Sequence, residues 1–157
     1  MLLEGSCHCG AAAFSVESPH PYPFNRCYCS ICRKLAGGGG YAINLGGVYE
    51  TLKITGKRHI RVYQVNEGGG RKSPLERHFC GKCGSMLFAW DSRWPELVHP
   101  FASAINTDLP APPETTHLLL DSKASWVEPD IREQDKCFDG YPDESIADWH
   151  DRLGLVR

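Results

Sequence analysis

Cys27-Tyr28-Cys29-Ser30-Ile31-Cys32-Arg33-Lys34 places three thiols within six residues, followed at once by two cations and then by Gly37-Gly38-Gly39-Gly40. Three soft sulfur ligands fill all but one corner of a tetrahedral zinc, and an open corner is what separates a catalytic zinc from a structural one. Two further pairs, Cys7/Cys9 and Cys80/Cys83, supply the four sulfurs that a closed structural zinc needs. The stretch is therefore read as the open half of a two-metal arrangement, in a chain whose short strands are stapled by metal.

With 157 residues, 41% of them hydrophobic and 23% charged, the chain fits one soluble globular domain, 1–157, with room for a real core. A formal charge of -2 carries no polyanion bias, so nucleic acid is not an expected partner. No basic segment followed by an apolar run precedes Cys7, and nowhere do about eighteen apolar residues follow one another, so neither a secretory signal nor a membrane span is expected. A cytoplasmic location follows. In a reducing compartment, eight cysteines more often bind metal or do chemistry than form structural disulfides.

Outward from the triad, the pattern is β. Residues 2–6 and 11–17 read as two strands joined by Cys7-His8-Cys9-Gly10, with Phe14 and Val16 on one face. Prolines 19, 21 and 23 rule out regular structure between them. Ser30 is placed to cap one helical turn over residues 30–35, which the four glycines end. Residues 41–45, 48–55 and 60–65 read as antiparallel strands separated by glycine-containing turns, and 67–74 as a glycine-rich hairpin connection. Strands at 75–79 and 85–90 flank Cys80-Gly81-Lys82-Cys83-Gly84, repeating the strand, knuckle and strand of the first pair. Residues 98–105 and 117–120 are further strands. Only the tail looks helical: Asp143 or Ser145 is positioned to cap a run with Ile146, Trp149 and Leu153 at helical spacing.

A zinc knuckle is a tight turn that a glycine after its second cysteine eases, and both Cys7-His8-Cys9-Gly10 and Cys80-Gly81-Lys82-Cys83-Gly84 carry one. The two pairs match each other better than either matches the triad. Two buried thiol pairs or disulfides remain the alternative. In the triad, three thiolates on one zinc leave a net charge near -1, which Arg33 and Lys34 are placed to offset while holding an anionic ligand. A thiol or water entering the open corner would be acidified. Closure of that corner by Cys137 or a histidine would instead make a second structural zinc, and an iron-sulfur cluster is a further option. The remaining histidines and the four tryptophans are read as ordinary surface, core or rim residues.

Gly5-Ser6-Cys7-His8-Cys9-Gly10, the triad stretch, and Arg77-His78-Phe79-Cys80-Gly81-Lys82-Cys83-Gly84-Ser85 together resemble the glutathione-dependent formaldehyde-activating enzyme family, which also includes centromere protein V. The resemblance extends through residues 117–126. It implies a β-tent of antiparallel sheets with a short C-terminal helix, a structural zinc on Cys7, Cys9, Cys80 and Cys83, and a second zinc on Cys27, Cys29 and Cys32. It further implies a carbon-sulfur lyase, acting on glutathione as co-substrate and formaldehyde as the small aldehyde. The competing expectation is a non-catalytic zinc scaffold or protein-interaction module.

Overall fold

Residues 1–155 are described by a computed structural model of the chain. In chain order it contains β1 (Leu2–Ser6), β2 (Ala13–Glu17), β3 (Phe24–Cys27), α1 (Ser30–Ala36), β4 (Ala42–Asn44), β5 (Gly47–Val48), β6 (Lys53–Thr55) and β7 (Ile60–Tyr63). There follow β8 (Asn66–Gly68), β9 (Arg71–Lys72), β10 (Leu75–Cys80), β11 (Met86–Asp91), β12 (Leu97–Pro100), β13 (Thr115–Leu118), β14 (Lys136–Cys137) and α2 (Ile146–Arg152). The fold is mainly β with a short C-terminal helix. Among the described residues no helix is long and apolar enough to cross a membrane. The backbone contacts divide the chain into two units.

One unit comprises Met1–Ser18 and Gly47–Asp108. Its β1 and β2 form an antiparallel hairpin in which Leu3 faces Val16 and Gly5 faces Phe14, and β6 extends the sheet along β2. The alternation of β2 is realised: Phe14 and Val16 are buried and Ala13 and Ser15 are less so. Gly5 is required by its partner, because a Cβ there would lie 2.4 Å from Cζ of the Phe14 ring. A five-stranded antiparallel sheet runs β5-β12-β11-β10-β7. β11 lies at its centre and is buried on both faces except at Trp90, as a strand with neighbours on either side should be. Phe14 meets Phe88 of that strand edge-on at 5.4 Å between ring centroids, a favourable aromatic geometry.

Residues 48–55 do not form the single strand that their composition predicts. After β5 the Thr51 hydroxyl donates to the Val48 carbonyl at 2.7 Å, and Leu52 N-H to Tyr49 O at 3.0 Å, closing a 3-10 turn over Tyr49–Thr51. The turn lets the two halves pair with different strands, β5 with β12 and β6 with β2.

The other unit comprises Pro19–Gly46 and Leu109–Arg157, of which residues 156 and 157 are outside the description. Its sheet runs β14-β13-β3-β4. β3 and β4 are antiparallel, whereas β13 lies parallel to both β3 and β14; side-chain alternation carries no information about that direction. α2 is capped by Ser145, which accepts from Asp148 N-H while the Asp148 carboxylate accepts from Ser145 N-H, a reciprocal capping box. Seven residues would not hold a helix in water by themselves. Docking does so: Trp149 is buried and its indole N-H donates to Glu114 Oε1 at 2.9 Å, with Arg152 on the same carboxylate at 2.6 Å.

Candidate metal centres

In the first unit, the hairpins β1-β2 and β10-β11 end in two knuckles built alike. Cys7 N-H donates to Ala12 O at 2.9 Å and Cys80 N-H to Ser85 O at 2.9 Å; Gly10 N-H returns to Cys7 O and Gly84 N-H to Cys80 O. Both glycines lie at positive φ, +73° and +80°, where a side chain would be strained. The matched glycines of the sequence thus do the same conformational task twice. The turns bring the sulfurs of Cys7, Cys9, Cys80 and Cys83 to within 4.8 Å of one another.

The Cys7–Cys9 and Cys9–Cys80 sulfur separations are 3.6 and 3.8 Å. Tetrahedral zinc with bonds near 2.3 Å sets sulfurs roughly 3.8 Å apart, so the set fits zinc. Hydrogen bonds to the sulfurs complete it: Ala12 N-H points at Cys7 Sγ at 3.3 Å, and the Ser85 hydroxyl lies 3.2 Å from Cys83 Sγ. The Ser85 hydroxyl and nearby backbone N-H groups hold the Cys83 thiol down to about 5. Ser85 also accepts from His8 N-H at 3.0 Å, so His8 contributes its backbone here.

In the second unit, Cys27 closes β3, Cys29 precedes α1 and Cys32 lies in its first turn; their sulfurs also fall within 4.8 Å of one another. The helix is capped by Cys29, whose Sγ accepts from Cys32 N-H at 3.3 Å, and not by Ser30. Cysteine is not a favoured capping residue, which is why its neighbour was the natural expectation. Hydrogen bonds from the Cys27 and Cys32 thiols and from the N-H groups of Cys32 and Ile31 push the Cys29 thiol strongly down. Cys27 is pushed up, as the thiol partner of Cys29 and Cys32 in a buried position. Cys29 is the least buried of the three.

Among the described residues no fourth metal-ligating side chain joins this cluster. Cys137 is exposed on β14, outside it. All eight cysteines are free thiols. Arg33 and Lys34 both lie in the last turn of α1; Lys34 is exposed, whereas Arg33 is half-buried with an Nε that has no hydrogen-bond partner. A cleft of about 400 Å³ in the first unit, lined by Glu4, Phe14, Lys53 and Asn106 among others, contains no cysteine.

Behind the triad stands a group of residues that composition did not single out. Tyr28, between two of the cysteines, is fully buried, and its hydroxyl lies 2.9 Å from Nδ1 of the equally buried His117. His117 Nε2 faces Asp135 Oδ2 at 3.4 Å. Asp135, its side chain 1% exposed, also accepts from Thr115 N-H, Arg132 N-H and the Arg132 guanidinium. Burial alone would raise its pKa, but these donors outweigh it and the carboxyl is held below the usual range. Burial lowers His117, so it stands as the neutral imidazole. A histidine followed by three leucines was the signal in the sequence that it belongs inside.

The model of the glutathione-dependent formaldehyde-activating enzyme family matches residues 2–120. A Halomonas elongata protein carrying the name of the same enzyme is 68% identical over 155 residues, covering 99% of this chain and 98% of its own. Among solved structures, the crystal structure of a Rhodobacter sphaeroides protein is similar with a TM-score of 0.54 and 27% identity, over 68% of this chain and 91% of that one.

Proposed function

The chain belongs to the glutathione-dependent formaldehyde-activating enzyme family, and from that premise we propose that it adds glutathione to formaldehyde at the three-cysteine cluster. The observation that carries this reading is the convergence of Cys27, Cys29 and Cys32 without a fourth ligating side chain among the described residues. Two zincs are proposed: one closed by Cys7, Cys9, Cys80 and Cys83, and one held by the triad. When bound at the triad, zinc supplies an open coordination position that acidifies an incoming thiol at neutral pH.

The reaction is a nucleophilic addition. The glutathione sulfur forms a bond to the aldehyde carbon, the carbonyl π pair moves to oxygen, and that oxygen takes up the proton the thiol gave up; the product is S-hydroxymethylglutathione. Read backwards, it is a carbon-sulfur lyase. The chain's share is orientation, which converts an encounter of two solutes into a reaction within one site. Arg33 and Lys34, about one helical turn beyond Cys29 and directly after Cys32, are the cations proposed to hold the glutathione carboxylates. Eight free thiols suit a reducing compartment, and the cytoplasm is the proposed location.

The test is exchange NMR on glutathione, formaldehyde and their adduct at equilibrium, with and without zinc-loaded protein. Faster interconversion with protein, lost in Cys29→Ser while the thermal transition is kept, is the expected result. Interconversion at the uncatalysed rate, together with no saturable heat from a glutathione titration, would leave a zinc scaffold and refute the enzyme.

A further inference from the structure

Tyr28 is set between two ligands of the triad yet points away from them. In extended backbone successive side chains face opposite sides, so Cys27 and Cys29 share a side only while Tyr28 occupies the other. The burial agrees: Tyr28 is 0% exposed, its ring stacked on His117 and tilted against Tyr41. Its N-H donates to Leu118 O at 3.1 Å, the last bond of the β3-β13 ladder before the chain turns into α1. Beyond that bond the next backbone anchor is the Cys29 carbonyl, which accepts from Arg33 N-H at 3.0 Å, and the side on which Tyr28 packs is left to its side chain.

The side-chain chain dictates it. Asp135, saturated by Arg132 and Thr115, is a carboxylate and accepts only. The proton on the facing imidazole edge is therefore on Nε2, which leaves the Nδ1 lone pair for the Tyr28 O-H. The order of donors is fixed from Tyr28 O-H through His117 to Asp135. The Arg26 guanidinium also reaches the Tyr28 oxygen, but as a donor only, so the O-H proton is left for His117, and turning the hydroxyl around would strand a buried imidazole nitrogen.

We propose that the Tyr28–His117–Asp135 chain is a positioning device for the triad, holding the Cys27–Cys29 backbone in the one orientation in which all three sulfurs converge on a metal. It rests on the reading of the triad as a zinc site, and not on the aldehyde chemistry. Tyr28 and His117 lie within the residues that the family model matches, whereas Asp135 and Arg132 lie beyond residue 120. The far end of the device is thus contributed by the segment that follows the matched region.

Partners behind metal ligands commonly change metal affinity by 10- to 100-fold when removed, and Tyr28→Phe removes only the hydroxyl. The test is zinc release from the loaded protein to an excess of a chromogenic chelator, with Co²⁺ substitution to record ligand-field bands of the triad. Trp149→Phe, which loses the bond to Glu114 in the same unit, controls for general destabilisation. Tyr28→Phe and His117→Leu should each speed release from the triad about tenfold or more, leave the four-cysteine release unchanged and shift the triad's cobalt bands. His117→Gln, which keeps a donor and an acceptor at similar spacing, should stay within about threefold of wild type by the same reasoning.

Unchanged triad release in Tyr28→Phe, or equal acceleration in Trp149→Phe, would overturn the proposal. Wild type that holds no metal on the triad would overturn both this and the zinc reading. Zinc that binds normally in a protein deaf to glutathione would refute the proposed reaction alone.

Discussion

Cys80→Ser should cost the protein one zinc and a large part of its stability, and the structure sets a lower bound. Cys80 is fully buried, and its sulfur lies 3.8 Å from that of Cys9, 71 residues earlier. As the lower limit, metal that stayed on these sulfurs through unfolding would close that loop in both states. Treated as a cross-link, closing about 71 residues removes roughly 15 cal/mol/K of chain entropy, or about 4.4 kcal/mol at 25 °C. Metal released on unfolding adds its binding free energy to this, so the figure is a floor. For a chain of this size about 1 kcal/mol moves the midpoint by 2–4 °C, which predicts a fall of roughly 9–18 °C. The assay is thermal unfolding by circular dichroism of chelator-free wild type and Cys80→Ser, with zinc per chain measured on the same samples. A variant that has lost one zinc yet melts within about 3 °C of wild type would refute the clip.

Two further outcomes follow from local geometry and charge. Gly40 has φ +97°, and a Cβ there would lie 2.2 Å from Val127 Cγ2, whereas a Cβ on Gly38 meets nothing within 4 Å; Gly40→Ala should therefore destabilise by about 1–3 kcal/mol and Gly38→Ala by less than about 0.5, equal effects in urea melts being the contrary result. Glu114 is held below the usual carboxylate range chiefly by Arg152. A group depressed on folding stabilises fully above its unfolded value, near pH 4.5, and loses that contribution as pH falls through its folded value. The stability gap between wild type and Arg152→Met should therefore shrink below about pH 4; a gap that widens on acidification reverses the sign and contradicts the pairing.

How far the chain could be read in advance depended on whether the cause was local. Knuckle glycines, hairpins and the capped tail helix are set by residues close in sequence, and Gly10, Gly84 and Ser145 behave as their neighbours dictate. The two cysteine clusters were legible because thiol spacing is itself a chemical statement. The split of residues 48–55 was not, since two strands compete for its halves from distant parts of the chain. The parallel pairing of β13 with β3 joins residues about ninety positions apart. His117 was read as one of several unremarkable histidines, because its worth lies in Tyr28 and Asp135, 89 and 18 residues away. Asp135 in turn looks like any acid in a charged loop until its burial is known.

The central claim is that the two cysteine clusters hold metal differently, one closed by four sulfurs and one left open by three. Zinc per chain, measured by elemental analysis on protein purified without chelator and again after brief treatment with a mild one, tests it most directly. The account predicts two zincs falling to one, with Cys29→Ser starting at one and staying there. Two zincs that both resist the chelator would contradict an open triad, and none at all would contradict the metal reading of both clusters.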